Sequence, residues 1–422
     1  MKRFSLLMIA VLAGIIVFGQ DMKDVKILAS LKHDYPKAKE AVDKVLADPK
    51  NANSAEAYYW KSYIYNFLAK DDKTKGMCTD CRMDAYDAMK KYIELDPAMK
   101  ETSSDSNAVL YDIFYSYYDI AGKAYNTQNY ELAFPNFKKT LEVEQYIHSK
   151  NLPGPNGTRA LGFDTTVILL TGVSAAQLKK DDESVEYYKK IIDAGASDPR
   201  YLDIYESVAD HYKRTKNEAM LNDVVAKGKK IYPNDDYWYQ VEIEQFPKSD
   251  SKAPLFAKYE EQIKERPNSF FINYNYAIEL YKYVYNSDSK PADAETKKNR
   301  LTEVIANAIA VDSTSEANVL MARHLDYFSN DISDAAFAIK GAKPEDVKKR
   351  NELKAAAAKK EDESVVYAEK AYKYYSALPK LTGRQKSNYR DVLQILSRYY
   401  LDKHDTQKSQ EYDQKKAAID KM

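Results

Sequence analysis

Apolar residues return every three or four positions through almost the whole chain beyond residue 22. That spacing fits one face of an α-helix and not the alternation of a strand. The clearest stretch holds Tyr205, Val208, Ala209 and Tyr212, then a polar break from Thr215 to Glu218, then Leu221, Val225, Gly228 and Pro233. It reads as a helix, a turn, a second helix and a residue that cannot continue it. A small residue such as Ala209 lets two helices approach, and an aromatic such as Tyr212 fills the space beside it. With only 12 Gly and 14 Pro in 422 residues, the turn-dense chemistry of a large β-sandwich or barrel is excluded. The expectation is an all-α chain.

The pattern repeats. Gly172, Ala175, Ser184, Tyr188 and Ile191 keep the same spacing; so do Gly122, Tyr125, Ala133, Phe137 and Thr140, one residue short between helices. Trp60, Tyr63, Ile64 and Phe67 form a first helix that Ala85, Met89, Tyr92 and the Leu95-Asp96-Pro97 ending complete after an insertion. Leu255, Tyr259 and Pro267 mark a second helix, Ile278 and Tyr281 pair with Leu301, Ile305 and Ala308, and Leu393, Leu396 and Tyr400 face a polar helix through Tyr412 and Ile419. Ala38, Val42 and Val45 open the array before Pro49. Ala209 and Ile278 stand 69 residues apart, close to two periods of about 34.

With these residues in register, the chain resembles the secreted tetratricopeptide (TPR) repeat proteins of bacteria, although an unrelated α-α repeat needs a similar period. The resemblance implies a right-handed α-α superhelix, a TPR-like solenoid of roughly six to eight helix pairs over residues 20–422, with first helices lining a concave groove. Polar, turn-rich insertions fall at 70–82, 150–157, 246–254 and 286–298, with a candidate break at 246–254. Residues 343–363 are Ala- and charge-rich and read as an exposed helix in preference to a linker.

Residues 1–19 read as a signal peptide: Met1-Lys2-Arg3 is a short basic start, an apolar run follows from Phe4 to Phe18, and Val17-Phe18-Gly19 precedes a cut near Gln20 or Asp21. An uncleaved anchor is the alternative, but the run is shorter than the roughly 20 apolar residues that span a bilayer comfortably. After cleavage no integral membrane span is expected. The exported product would sit in the periplasm or be secreted to the cell envelope.

Chemistry-bearing patterns are sparse. Lys and Arg number 64 and Asp and Glu 64, so no basic face argues for nucleic acid. Cys78 and Cys81 are the only cysteines. A redox dithiol would need a strand-helix setting and a structural zinc a second pair of ligands, so a small local disulfide is the expectation in an oxidising compartment. His33, His148, His211, His324 and His404 are scattered without metal-ligand spacing, and His211 is expected to be solvated or groove-lining. Neither a nucleophile elbow nor a phosphate-cradling loop is present. The reading is non-enzymatic, with no catalytic residue, metal or cofactor.

Tyrosine is the compositional outlier, 37 against 13 Phe and 2 Trp. Most are expected between helices with the hydroxyl reaching the surface, and the remainder exposed as contact residues. Carrying the family's groove positions onto this sequence gives Asp203, Glu206, Asp210, Lys213 and Arg214 in the best copy. Tyr58, Lys61 and Tyr65 precede it, with Asp119, Lys123 and Asn126, and Asn275, Glu279, Lys282 and Tyr283 follow. The partner-binding groove expected from these positions is Tyr58, Lys61, Tyr65, Lys123, Asn126, Asp210, Lys213, Arg214, Glu279 and Lys282. The Lys and Asn set of the chaperone-binding members is not reproduced, because Tyr65 stands where Asn would. The expected function is a non-catalytic exported scaffold that binds a protein or peptide of the cell envelope. The alternative is a glycan-binding protein of the outer envelope resembling the SusD-like class.

Overall fold

The computed structural model describes residues 21–101, 107–246, 251–287 and 291–419. The targeting segment expected at 1–19 and residues 247–250 of the expected break lie outside them. Every regular element among the described residues is helical: eighteen α-helices joined by loops and short 3₁₀ and π turns. The chain divides into two compact units, Met1–Ile231 and Tyr232–Met422, the division falling beside Pro233 and ahead of residues 246–254.

The first unit holds α1 (Met22–Lys26, running on through a π turn over Ile27–Leu31), α2 (Tyr35–Ala47), α3 (Ala55–Leu68), α4 (Cys81–Leu95) and α5 (Ala108–Asn126). It continues with α6 (Tyr130–Ser149), α7 (Thr165–Gln177), α8 (Asp181–Asp193), α9 (Leu202–Arg214) and α10 (Glu218–Ile231). The second holds α11 (Asp236–Glu244), α12 (Ala253–Glu265), α13 (Phe270–Tyr285), α14 (Ala294–Val311), α15 (Ser315–Ala338), α16 (Pro344–Ser376), α17 (Gly383–Asp402) and α18 (Thr406–Ala418). Each helix packs chiefly on its neighbours in the sequence, which is the arrangement of stacked helix pairs.

Local chemistry starts these helices where the sequence places short polar side chains. Asp34, Ser54, Asp80, Asn129, Ser269 and Thr314 each accept a hydrogen bond from a first-turn backbone N–H. Thr382 and Gln385 form a reciprocal capping box at the start of α17.

Four hairpins close through one and the same turn. Gln128, Lys179, Lys216 and His404 all adopt left-handed φ, between 56° and 63°. The next residue then donates its N–H back into the preceding helix: Asn129 to Ala124, Lys180 to Ala175, Asn217 to Tyr212 and Asp405 to Tyr400, at 2.8–3.0 Å. This is the Schellman closure, which satisfies carbonyls at the end of the first helix and aims the chain into the second.

Close approach between paired helices rests on small residues. A Cβ on Gly172 of α7 would lie 2.5 Å from the ring of Tyr188 on α8. Gly122 is different: open space surrounds it, and the fully buried small residue in that turn of α5 is Ala121. The expected register of the first helix of that copy is therefore off by one position, while Ala133, Phe137 and Thr140 of the second are fully buried as expected.

Tyrosine builds much of the interior. Tyr86, Tyr92, Tyr111, Tyr117 and Tyr205 are among the largest fully buried side chains of the first unit, and Tyr276 and Tyr375 of the second. Their hydroxyls commonly end on fixed acceptors and not in solvent. Tyr205 donates to the Ala196 carbonyl at 3.1 Å, Tyr111 to the Leu152 carbonyl at 3.0 Å and Tyr276 to Glu260 at 2.9 Å. A phenol can cross an apolar contact and still satisfy its O–H on a carbonyl beyond it, which an all-Phe core could not do.

The two tryptophans fall one to each unit. Trp60 on α3 leans on Tyr59 and Tyr63 at 5.7 and 5.4 Å; Trp238 on α11 is fully buried against Tyr237 at 4.9 Å. Neither indole N–H has a hydrogen-bond partner.

Residues 343–363 are helical and belong to α16, a single helix of 33 residues. The polar joint expected over 286–298 ends earlier, because α14 begins at Ala294; Lys298 is buried and paired with Asp331. His211 is buried at 9% exposure, 3.6 Å from Asp182, and not solvated. No described helix is long and apolar enough to cross a membrane.

Candidate functional site

The expected groove residues of α3 do not face a groove. Tyr65 is 5% exposed and donates its hydroxyl to both oxygens of Asp43 on α2, at 2.7 and 2.8 Å. Lys61 lies 3.9 Å from the same carboxylate with its ammonium 5.1 Å above the Tyr65 ring, and Tyr58 packs on the core. Burial, with the Asp43 carboxylate second, pushes the Tyr65 phenol up. Tyr63, Asn66 and Phe67 sit at the opposite rotation of the helix, because each residue advances about 100°, and Lys70 follows just past its end. That opposite face is the one turned to α5, where Asn66 donates to Asp112 at 2.5 Å and Lys70 pairs with Asp112.

Between α3 and α5 lies a cleft of about 460 Å³ walled by Tyr63, Phe67, Tyr111, Tyr115 and Pro155, with Asn66 and the Lys70–Asp112 pair as its polar groups. The Asn66 side chain is 1% exposed and its carbonyl oxygen has no partner. Tyr111 and Tyr115 continue into a second cleft of about 230 Å³ with Phe114, Tyr118, Glu144 and Arg159. Lys70 leads the other way, into a polar cleft of about 560 Å³ that includes Asp80, Arg82, Asp119 and Lys123. The three share walls along α3 and α5, with the start of α4, Glu144 of α6 and the loops beside them completing the lining.

Tyr115 and Tyr118 stand on this surface 50% and 40% exposed, whereas Tyr111 and Tyr117 of the same helix are buried. The α5 residues Asp112, Tyr115, Ser116, Asp119 and Lys123 form its stripe at three- and four-residue spacing. Of the expected groove positions, Asp119 and Lys123 line it, paired with each other at 2.6 Å. Asn126 is exposed at the end of α5 and lines none of these clefts.

The remaining expected residues are distributed elsewhere. Lys213 reaches Asp210 on its own helix at 3.6 Å, and Arg214 bridges to Asp181 at 3.1 Å. Glu279 and Lys282 belong to the second unit and pair with each other at 2.7 Å. These are solvated ion pairs and contribute little to binding or stability.

Two carboxyls adjoining the surface have unlike surroundings. Glu144 is 2% exposed and accepts the Leu161 N–H at 3.2 Å; burial, then the charge of Asp164, pushes its carboxyl up. For Asp80 burial opposes ionisation, but hydrogen bonds from Lys139, the Met83 N–H and Tyr117 hold it below the ordinary carboxylate range. Asp80 caps α4 within the short segment tied off by the Cys78–Cys81 disulfide, at a sequence separation of 3, near the end of the inserted loop. Among the described residues no group of three or more His, Cys, Asp or Glu side chains is placed to hold a metal.

A larger cleft of about 800 Å³ lies between the second helices α6 and α8. Its lysines are largely engaged: Lys138 and Lys180 both pair with Glu183 and both cover the Phe134 ring, which is 4% exposed. It offers volume but no exposed aromatic anchor of the kind that Tyr115 and Tyr118 provide.

No family model matches the chain, and no curated protein does. Among solved structures, it is similar to a TPR repeats protein from Bacteroides fragilis, with 17% identity and a TM-score of 0.29, over 67% of this chain and 97% of that one. It is similar also to YrrB, described as a TPR protein with an unusual peptide-binding site, at 17% identity and TM-score 0.20, over 52% of this chain and 89% of the other. A third is the Naa15/Naa10 complex bound to HypK-THB, at 14% identity and TM-score 0.29, over 95% of this chain and 58% of that one. Scores this low leave the architecture resting on the helix pairing described above.

Proposed function

We propose that the chain is a non-catalytic scaffold that captures an extended protein or peptide segment on the α3–α5 face of its first unit. The observation that carries this reading is the pair of exposed tyrosines, Tyr115 and Tyr118, on the wall of a groove whose other polar groups are mixed in sign. Exposed aromatics on a rigid helix supply large contact area at small conformational cost, and flanking ion pairs set orientation. The Asn66 carbonyl adds a buried acceptor without a partner at the floor, where a segment bringing an N–H would satisfy it.

Selection of a displayed random-peptide library on the purified protein tests the reading. Tyr115→Ser with Tyr118→Ser should abolish enrichment while leaving the thermal melt unchanged, because both side chains are exposed. Equal enrichment on the double variant would refute the assignment.

Export to the cell envelope belongs to the same proposal and rests on the Lys2-Arg3 start, the apolar run from Phe4 to Phe18 and the paired cysteines. Amino-terminal sequencing of protein recovered from native cells should begin near Gln20 or Asp21. An intact Met1 in cytosolic protein would remove this part.

A further inference from the structure

The second unit carries a cleft that the peptide reading does not use. It opens on the first helices of three successive pairs, α13, α15 and α17, and encloses about 340 Å³. Four charged side chains cross-pair in it: Arg323 on Asp391, and Arg398 on Asp326. Arg323 also donates to Asn388 at 3.1 Å. Beside them stand Tyr327, 47% exposed, and the exposed amides of Gln394 and Asn286.

The chemistry of this lining is selective. Two guanidiniums matched by two carboxylates leave no net charge, so neither a phosphate nor a divalent cation gains by entering. An apolar anchor gains little, because the lining is mostly polar and Ile395 is 6% exposed. What the cleft does offer is a dense set of planar donors and acceptors held in place by one another. A guanidinium carries about five N–H donors and a carboxylate about four acceptor positions, and the bonds made here use only part of them. The Arg323 Nε is buried and has no hydrogen-bond partner. Gln394 and Asn286 each add a donor and an acceptor.

Two tyrosines line the cleft, Tyr281 and Tyr327, and Tyr327 is the more exposed. The Tyr327 ring packs at a tilt on Tyr281 and Tyr285, with ring centroids at 6.3 and 5.3 Å. A flat ring edged by fixed donors and acceptors, with no net charge, is complementary to a molecule that has an apolar C–H face and a rim of hydroxyls. We infer that the α13–α15–α17 cleft binds an uncharged oligosaccharide, stacked on Tyr327 and hydrogen-bonded at its rim by Arg323, Asp326, Asp391, Arg398, Gln394 and Asn286. The volume suits a short glycan and excludes a folded partner.

The test uses the full chain and a fixed panel of neutral probes: maltotriose, cellotriose, xylotriose, chitotriose and mannotriose. It is read by calorimetry and by saturation-transfer NMR. At least one should bind saturably below about 10 mM, and Tyr327→Ala or Gln394→Ala should weaken it by about tenfold or more. Gln394 is exposed, so Gln394→Ala should keep the parent melting temperature and separates a loss of binding from a loss of stability. Tyr115→Ser with Tyr118→Ser, in the first unit, should leave glycan binding intact, so failure of the peptide reading and failure of this one are separable. Absence of saturable binding to every probe overturns the inference. So does binding indifferent to both variants, or preferential capture of a Gly-Asp-Arg-Gly peptide at the same cleft.

Discussion

Tyr65 on α3 donates its hydroxyl to Asp43 on α2 at 2.7 Å, and this contact turns a residue expected in a binding groove into part of the helix packing. Lys61 and Lys39 are both drawn to the same carboxylate, each with its ammonium 5.1 Å from the centre of the Tyr65 ring.

Tyr65→Phe should therefore destabilise the first unit by about 1 kcal/mol, since Asp43 loses one donor but keeps Lys39 at 2.8 Å. Peptide capture at saturating protein stability should be unchanged. Urea denaturation followed by circular dichroism checks the first outcome; a variant as stable as the parent would show the hydrogen bond to be worth nothing.

Two glycines that look alike in sequence should behave oppositely. Gly172→Ala meets the Tyr188 ring, which is 6% exposed and has Tyr187 beside it, so a loss of about 1–3 kcal/mol is expected despite the better helix propensity of Ala. Gly122→Ala meets nothing within 4 Å and should stabilise by about 0.5–1 kcal/mol through propensity alone. Thermal melts of the two single variants should move in opposite directions.

Lys216 occupies the left-handed position of the α9–α10 turn at φ 56°. A side chain with a Cβ costs roughly 1–2 kcal/mol there, and glycine does not, though glycine loses more freedom on folding. Lys216→Gly should raise stability by about 0.5–1 kcal/mol. Lower stability would mean that Lys216 makes a contribution beyond its backbone.

His324 is fully buried between Tyr285, at 3.0 Å from Nδ1, and the Thr302 hydroxyl, at 2.7 Å from Nε2. Burial, then the charges of Lys360 and Lys298, lowers its pKa to about 3. The folded state thus holds a neutral imidazole while the unfolded chain takes up a proton below its ordinary value near 6.5. The stabilising contribution is complete above that value and is lost as pH falls from there toward about 3. Between pH 7 and pH 5 the second unit should lose about 2 kcal/mol on this account. His324→Gln, whose amide can replace both hydrogen bonds, should flatten that part of the pH dependence in urea titrations. Parallel curves for the variant and the parent would locate the acid sensitivity elsewhere.

Much of the fold is legible in the spacing of apolar residues, because a helix that buries one stripe must repeat every three to four positions whatever its neighbours are. The α9–α10 copy reads directly, and so does the helix over 343–363. The site is less legible. Rotating the α3 reading by half a turn moves the surface from Tyr58, Lys61 and Tyr65 to Tyr63, Asn66, Phe67 and Lys70. Only the position of α2 and its Asp43 decides between them. Tyr111, Tyr115, Tyr117 and Tyr118 illustrate the same limit: identical side chains on one helix, two buried and two exposed, sorted by where α5 meets its neighbours. The recurring left-handed turn residues are Gln, Lys, Lys and His, none of which signals that conformation by type. Here the helices on either side impose it.

The placement of one indole in each unit gives the molecule a built-in pair of optical reporters. Against 37 tyrosines, Trp60 emission follows the amino-terminal half and Trp238 emission the carboxy-terminal half. Replacing either with Phe isolates the other, so the order in which the two halves come apart under heat or denaturant can be watched without attaching a dye.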